Sequence, residues 1–403
     1  MTQSAAGLSI LSNTVEIGGT NVGAFNDLVA QPQIPVVQMD FVHGINVQTG
    51  LATTANSATV DTNASRLRLQ SGTNAAGNAL FLSRRPAKYR SGQGITCRFT
   101  VAFTAGVANS VQYVGAGNNV DGYFVGFNGV AFGILRRVGG SDADWTAQTS
   151  WNGDKCAGAG ATGFILDPAL SNQWMIRYTR RLAAIYVMDP SGVWLLCHRF
   201  RYTNSAVASL TNPNLSFYAQ SLNSGATSNQ IVYVGSASQF LLGQRSFIGS
   251  PKWAYAGNST TVTTEVVALN LRNATTYNTV TNRSLIRLNS LSLSTTANNG
   301  TVTLRLYMAA TIGGSPSWTT VNGTTADAGV TITAGNSVAS KDSAGTTSAG
   351  NLLFTMVASS PGNQAIDLTP FEIFLGPAEI LSITVASTAS TTIGVALNWT
   401  EDQ

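Results

Sequence analysis

Between Ile95 and Thr104 the chain alternates: Ile95, Cys97, Phe99, Val101 and Phe103 take one side, and Thr96, Arg98, Thr100 and Thr104 the other. A period of two is the signature of a strand with one face on a core, because successive side chains point to opposite faces. The same pattern recurs along most of the chain. It appears in Leu67 and Leu69 between Arg66, Arg68 and Gln70, and in Ile393, Val395, Leu397 and Trp399 near the end. Between these runs stand turn formers, of which Asn128-Gly129 and Asp189-Pro190-Ser191-Gly192 are the clearest. No heptad, long amphipathic helix or fixed-period repeat interrupts them. The expected fold is therefore all-β.

Gln31-Pro32-Gln33-Ile34-Pro35 ends a polar leader, and two prolines so close mark an extended segment and a boundary. Ser246 to Asn258, with Gly249-Ser250-Pro251, reads as a linker. The chain then divides into an extended N-terminal arm, 1–35, a large domain, 36–250, and a C-terminal domain, 251–403. Both domains are expected to be antiparallel β-sandwiches of jelly-roll or lectin-like form. Ile176–Met188 and Val193–Tyr202 are expected to pair as a hairpin. In it Trp194, Leu196, His198, Phe200 and Tyr202 share one side. Residues 315–350, mostly Thr, Ala, Gly and Ser, read as loop with short strands.

Charge is scarce. Asp, Glu, Lys and Arg make up 10% of the 403 residues, against about 25% in an average soluble domain. What charge there is divides unevenly. Residues 36–250 hold 16 basic and 8 acidic residues, and residues 251–403 hold 6 and 8. A surface of hydroxyls and amides suits a durable packed assembly. No apolar run approaches the roughly 20 residues of a membrane span, and the first ten residues lack the basic and apolar regions of a secretory signal. The three cysteines, Cys97, Cys156 and Cys197, have no metal or disulfide spacing. Cys97, on the apolar side of its strand, is expected to be a small buried hydrophobe, and reduced thiols fit a protein made in a cytosol.

A search for chemistry gives little. Residues 36–250 contain no Glu, and their Asp residues sit mainly in turns, so a carboxylate pair for glycan hydrolysis has no local support. His43 and His198 are both expected in strands as packed core histidines. Gly158-Ala159-Gly160-Ala161-Thr162-Gly163 matches a dinucleotide-binding pattern, but no strand–helix unit surrounds it. Asn118, Asn119 and Asp121, or Asp142 and Asp144, could ligate calcium through oxygen, with a solvated turn as the alternative. No catalytic, cofactor-binding or metal-binding residue is assigned. The candidate contacts to a glycan or a neighbouring subunit are Tyr123, Trp145 and Trp151, whose rings could stack on sugars, and Arg136 and Arg137. Adjacent arginines on a strand point to opposite faces, so the pair does not form one patch by itself.

Two stretches resemble known proteins. The first is Lys88-Tyr89-Arg90-Ser91-Gly92-Gln93-Gly94, with Asp121-Gly122-Tyr123-Phe124-Val125-Gly126-Phe127-Asn128-Gly129 and Phe132 to Arg137. Together with flanking segments over roughly 36–215, it resembles a family of virion proteins of tailed phages and large double-stranded DNA viruses. The second is Val302 to Tyr307, Glu372 to Leu375 and Leu397-Asn398-Trp399-Thr400-Glu401-Asp402, which resembles a C-terminal β-sandwich of phage structural proteins. The resemblance implies a non-enzymatic virion component assembled in the host cytoplasm: a tail fibre, tail tip, spike or capsid-surface protein. It would bind other virion proteins through the arm and itself as a homo-oligomer, with a trimer favoured. Host-surface glycan is a further partner, and nucleic acid is not expected. The alternatives are a glycan-binding adhesin module and a polysaccharide depolymerase.

Overall fold

The computed structural model describes residues 8–11, 14–17, 33–90, 92–160, 162–204, 209–243, 250–258, 264–277, 279–296, 300–321, 324–327, 330–333, 337–348, 350–359, 361–389 and 391–402. Among them every regular element is a strand, apart from the 3-10 turns Gln148–Ser150 and Thr369–Phe371. The chain divides into two compact units, Met1–Arg245 and Ser246–Gln403.

In the first unit a seven-stranded sheet runs in the order Ser141–Ala147, Ala131–Val138, Gly122–Asn128, Ser110–Gly117, Ser216–Asn223, Asn78–Ser83 and Gly50–Ala55. An eight-stranded sheet runs Trp194–Arg201, Leu182–Met188, Asn172–Tyr178, Ile95–Phe103, Ile231–Leu242, Arg66–Gln70 and Thr59–Asn63, with Gln33–Asp40 also paired to Ile231–Leu242. All pairings are antiparallel. The alternation at Ile95–Thr104 sends Cys97, Phe99 and Val101 into the layer between the sheets, against Val114, Tyr123 and Val125. Phe99 meets Phe217 of the other sheet at 6.1 Å between ring centres. Asn128-Gly129 makes the expected tight turn, with Gly129 at φ +59°, and Asn128 pairs with Ala131 across it. Asp189 caps the other turn. Its Oδ1 accepts the Ser191 hydroxyl at 2.7 Å and the amides of Val193 and Ser191 at 2.8 and 2.9 Å, and these bonds, the hydroxyl's first, hold its carboxyl below the ordinary range.

Several boundaries move. Gln33, Ile34 and Pro35 are not arm: they lie in the strand Gln33–Asp40. Leu8–Leu11 and Thr14–Ile17 pair as an antiparallel ribbon rather than an open extended arm. Residues 18–32, and with them Gln31 and Pro32, lie outside the described residues. Ser250–Asn258 is a strand of the second unit, paired along Ile393–Asp402, so the linker does not extend to Asn258. Ile176–Met188 is not one strand, because a tight turn at Thr179–Leu182 divides it.

Trp194–Arg201 also departs from simple alternation. A bulge opposite Ile185 and Tyr186 shifts its phase. Leu195 is buried in the core before the bulge, Cys197 is buried within it, and Phe200 packs against the core afterwards. The expected single side from Trp194 to Tyr202 is thus broken in the middle.

The second unit packs a five-stranded sheet, built on Ser250–Asn258, Ile393–Asp402 and Leu285–Thr295, against a six-stranded one that includes Val266–Asn273, Ile380–Ser387, Thr301–Met308 and Asn351–Ser359. Leu291, Leu304, Ile383, Leu397 and Trp399 fill the space between them and are fully buried. Residues 315–350 contribute short strands, as expected.

Truncating a buried leucine to alanine removes three carbons from between the sheets and leaves a void that they close only in part. Leu304→Ala is expected to cost about 3 kcal/mol, read as a lower urea midpoint. Val357→Ala, on a half-exposed side chain, should stay within about 0.5 kcal/mol.

Candidate functional site

The outer face of the seven-stranded sheet is unusual. In a sheet with one face in solvent, residues opposite the core positions are normally polar. Here Tyr113, Phe124, Leu135 and Tyr218 point away from the core, yet they form a second buried cluster with Leu80. Register brings them together. Phe124 pairs with Leu135, which pairs with Trp145, while Tyr113 lies opposite Gln220 on the Ser216–Asn223 strand. Phe124 and Tyr218 have ring centres 4.8 Å apart, Tyr113 stacks on Phe124 at 6.2 Å, and Trp145 tilts over Tyr113 at 6.2 Å. Glycines make room for rings lying along the sheet. A Cβ at Gly122 would meet the Phe124 ring at 2.5 Å, and one at Gly133 would meet Trp145 at 2.8 Å.

Arg137 crosses this aromatic floor. Its guanidinium lies 5.2 Å from the Phe124 ring centre, 5.8 Å from Tyr113 and 5.9 Å from Tyr218, which is cation–π range. Its Nε donates to Asp142 at 2.7 Å. The Tyr218 hydroxyl sits 2.5 Å from Gln220 Oε1 and 3.3 Å from Asn119 Oδ1, and Gln220 Nε2 donates to Asn78 at 3.0 Å. The Tyr113 hydroxyl is buried without a hydrogen-bond partner. Burial, reinforced by the nearby Asp142 charge, pushes its pKa up, and burial does the same for Tyr218. Both phenols therefore remain neutral. Trp145 is half-buried, and Asn119 and Asp142 are exposed on the rim. The face thus offers an indole edge, an amide and an arginine–carboxylate pair side by side.

The sequence candidates divide across the sheet. Trp145 and Arg137 belong to this face. Tyr123 does not, since it faces inward, is fully buried and donates to Tyr202 at 2.9 Å. Trp151 is also a core residue, edge-on to Trp174. Neither ring is placed to stack on a sugar. Arg136 faces the opposite way from Arg137. Its Nε donates to Ser209 O at 3.1 Å, it ion-pairs with Asp144, and it lies 5.1 Å from the Tyr202 ring centre. A bulge between Arg136 and Arg137 brings both arginines opposite their own aspartates. Tyr113, Phe124 and Tyr218 are members that the sequence reading missed. Adjacent apolar residues such as Tyr123-Phe124 were the available signal of a sheet buried on both faces.

The proposed calcium loops have other work. Asp121 is buried, and its carboxylate accepts Thr211 N at 2.8 Å, Thr211 Oγ1 at 2.6 Å and Asn212 N at 3.0 Å. Asn118 Oδ1 accepts the amides of Val120 and Asp121. Asp142 and Asp144 hold Arg137 and Arg136. Among the described residues no three His, Cys, Asp or Glu side chains cluster as a metal site would require. His43 is in an exposed turn, not in a strand or core. His198 is buried against Phe200 at 4.6 Å between ring centres, and its Nδ1 accepts Asn152 N at 3.3 Å. Burial pulls its pKa down, with Asp144 acting weakly the other way.

The second unit holds a cleft of about 560 Å³ lined by Glu265, Tyr307, Thr384 and the 343–347 loop. Arg305, Tyr307 and Thr384 all donate to the Glu265 carboxylate. The Asp342 carboxylate nearby accepts Asn270 and the amides of Ser317, Ala344 and Gly345. Burial opposes its charge, but these bonds hold its carboxyl below the ordinary range.

No family model matches the chain, and no curated protein matches it. Among solved structures, similarity is found to a lectin from Bauhinia forficata solved with GalNAc, at 11% identity and a TM-score of 0.34, over 52% of this chain and 99% of that one. A cellulose-induced protein, Cip1, matches at 12% and 0.35 over 50% and 96%. Lectin II from Ulex europaeus matches at 12% and 0.34 over 51% and 99%. Likenesses of this size say nothing about what this chain binds.

Two expectations follow from the buried polar groups. Asp121→Ala strands the donors of Thr211, Asn212 and Gly139 and should cost roughly 3 kcal/mol or more, seen as a lower thermal midpoint. For His198 the folded pKa lies below the ordinary 6.5. Its contribution is therefore complete above that value and is lost as pH falls below it, where only the unfolded chain takes up the proton. Between pH 7 and 5 the wild type should lose more stability than His198→Gln. Equal losses would show that His198 is not kept neutral by the fold.

Proposed function

We propose that the chain is a carbohydrate-binding protein that uses the outer face of the seven-stranded sheet. One observation carries the reading: a buried aromatic floor capped by the Arg137–Asp142 pair, with Trp145 and Asn119 accessible at its edge. A pyranose needs an apolar ring face for its C–H groups and planar donors and acceptors for its hydroxyls. Trp145 supplies the first. Asn119, Asp142 and Arg137 supply the second, in a site whose floor is already packed and so loses little freedom on binding.

The resemblance to virion proteins supplies the setting in this proposal, a particle-surface protein contacting host glycans. Self-association fits the scarcity of charge, since uncharged surface costs less to desolvate between subunits. It fits, too, the edge strand Asn351–Ser359, which has no charged residue and exposes Leu352 and Val357. The depolymerase alternative has less behind it. Asp142, Asp144 and Glu265 are each engaged by an arginine.

The test is a glycan array with the full chain, followed by titration of each hit. Trp145→Ala and Asn119→Ala are expected to weaken binding about tenfold or more, consistent with losing one or two contacts of 1–2 kcal/mol, with the melting temperature of each variant measured alongside so that lost packing is not read as lost binding. Full affinity in both variants would remove this face as the site.

A further inference from the structure

We propose that Cys156 and Cys197 form a site for a single intrachain disulfide, made by exchange with a small-molecule disulfide. The two residues are far apart in sequence, and nothing in their spacing pairs them. In the fold their Sγ atoms lie 3.9 Å apart, and both side chains are fully buried.

Two independent features bring them together. Cys197 stands unpaired in the bulge of Trp194–Arg201, with its side chain buried in the core. The segment that follows Trp151 is hydrogen-bonded along the same strand, with Gly153 N donating to Cys197 O at 2.9 Å and Asp154 N to Leu196 O at 2.7 Å. Cys156 then takes a left-handed backbone, φ +50°, which a side chain rarely adopts. Asp154 Oδ1 fixes it by accepting Cys156 N at 2.8 Å, and Leu166 N donates to its carbonyl at 2.9 Å. The backbone on both sides of the sulfurs is thus held. Closing the gap to a bonded distance of about 2.05 Å calls for rotation of two short side chains rather than movement of a sheet. Cys97 is elsewhere, its thiol against the Gly115 carbonyl and its pKa pushed up to about 12 by burial.

Access comes from the loop above. Residues 157–159 and Ile165 are exposed, and the segment carries Gly158 and Gly163 at positive φ. Exchange requires a local opening at this segment while the sandwich stays folded. In the closed state burial raises the Cys197 thiol pKa, so little thiolate is present and exchange waits for opening. The chemistry balances. One cysteine thiolate attacks a sulfur of the small disulfide and releases one thiolate. The second cysteine then attacks the resulting mixed disulfide and expels the other. Two cysteine thiols and one disulfide become one cystine and two small thiols. The bond would tie the 152–166 loop to its strand across a separation of 41 residues, which should harden the first unit once the chain meets an oxidising medium.

The experiment incubates the full native chain in oxidised glutathione, with enough urea to open loops but not to unfold the sandwich, then removes both. Mass spectrometry after thiol alkylation should show a loss of about 2 Da, with a peptide joining Cys156 to Cys197 and Cys97 alkylated. The melting temperature should rise by about 5–15 °C and return on reduction. Cys97→Ser should behave as the wild type, and Cys156→Ser should give no intrachain bond. Three free thiols after this treatment, a bond that includes Cys97, or a melting temperature that falls on oxidation would each overturn the proposal. The wild-type mass decides the matter even if a variant fails to fold.

Discussion

A strand must send neighbouring side chains to opposite faces, and Gly122–Asn128 carries large aromatics on both. Tyr123 points into the layer between the sheets and Phe124 points out, and both are fully buried. A sheet loaded in this way cannot leave its outer face to water, because a ring of that size exposed on each strand would form a large apolar patch. The outer cluster of Tyr113, Leu135, Tyr218 and Leu80, closed by Arg137 and Trp145, is the response. Position follows from this one constraint. Arg137 lies over the rings because they attract a cation, Asp142 lies where Arg137 needs a partner, and the accessible edge falls at Trp145 and Asn119.

Much of the fold was legible because half-buried strands have a simple period. Ile95–Phe103, Arg66–Gln70 and Ile393–Asp402 stand where alternation put them, and the Asn-Gly and Asp-Pro-Ser-Gly turns join the strands expected of them. The misses share a physical origin. A bulge adds one residue to one side of a ladder and shifts its phase, so the single side expected from Trp194 to Tyr202 breaks at Cys197. Gly129 and Gly192 announce turns through positive φ, whereas the turn that divides Ile176–Met188 runs through Thr179, Arg180 and Arg181, none of which is a turn signal.

The candidate site was half legible for a related reason. Alternation separates faces but does not say which face is the core. It correctly split Arg136 from Arg137, but it could not tell that Tyr123 rather than Phe124 joins the interior. Choosing accessible aromatics by type alone therefore selected Tyr123 and Trp151, two of the most buried rings in the unit, along with Trp145, which does reach the surface. The extra information lies in the partners across strands, which depend on a strand order that places Ser216–Asn223 beside Ser110–Gly117 over a separation of about a hundred residues.

Scarcity of charge shapes what such a surface can do. The buried carboxylates fasten distant segments: Asp121 holds Thr211 and Asn212, Asp342 holds Ser317 and Asn270, and Glu401 holds Val338 and the Trp399 indole. Each of these carboxylates uses its oxygens to join segments that lie far apart in sequence, and so satisfies donors that burial would otherwise leave without partners. Carboxylates at the surface are similarly tied, Asp61 to Arg68 and Asp142 to Arg137. On the outer face of the seven-stranded sheet, the groups beside the Asp142–Arg137 pair are the Asn119 amide and the Trp145 ring. Groups of this kind contact a ligand by geometry more than by charge, so such contacts depend little on ionic strength.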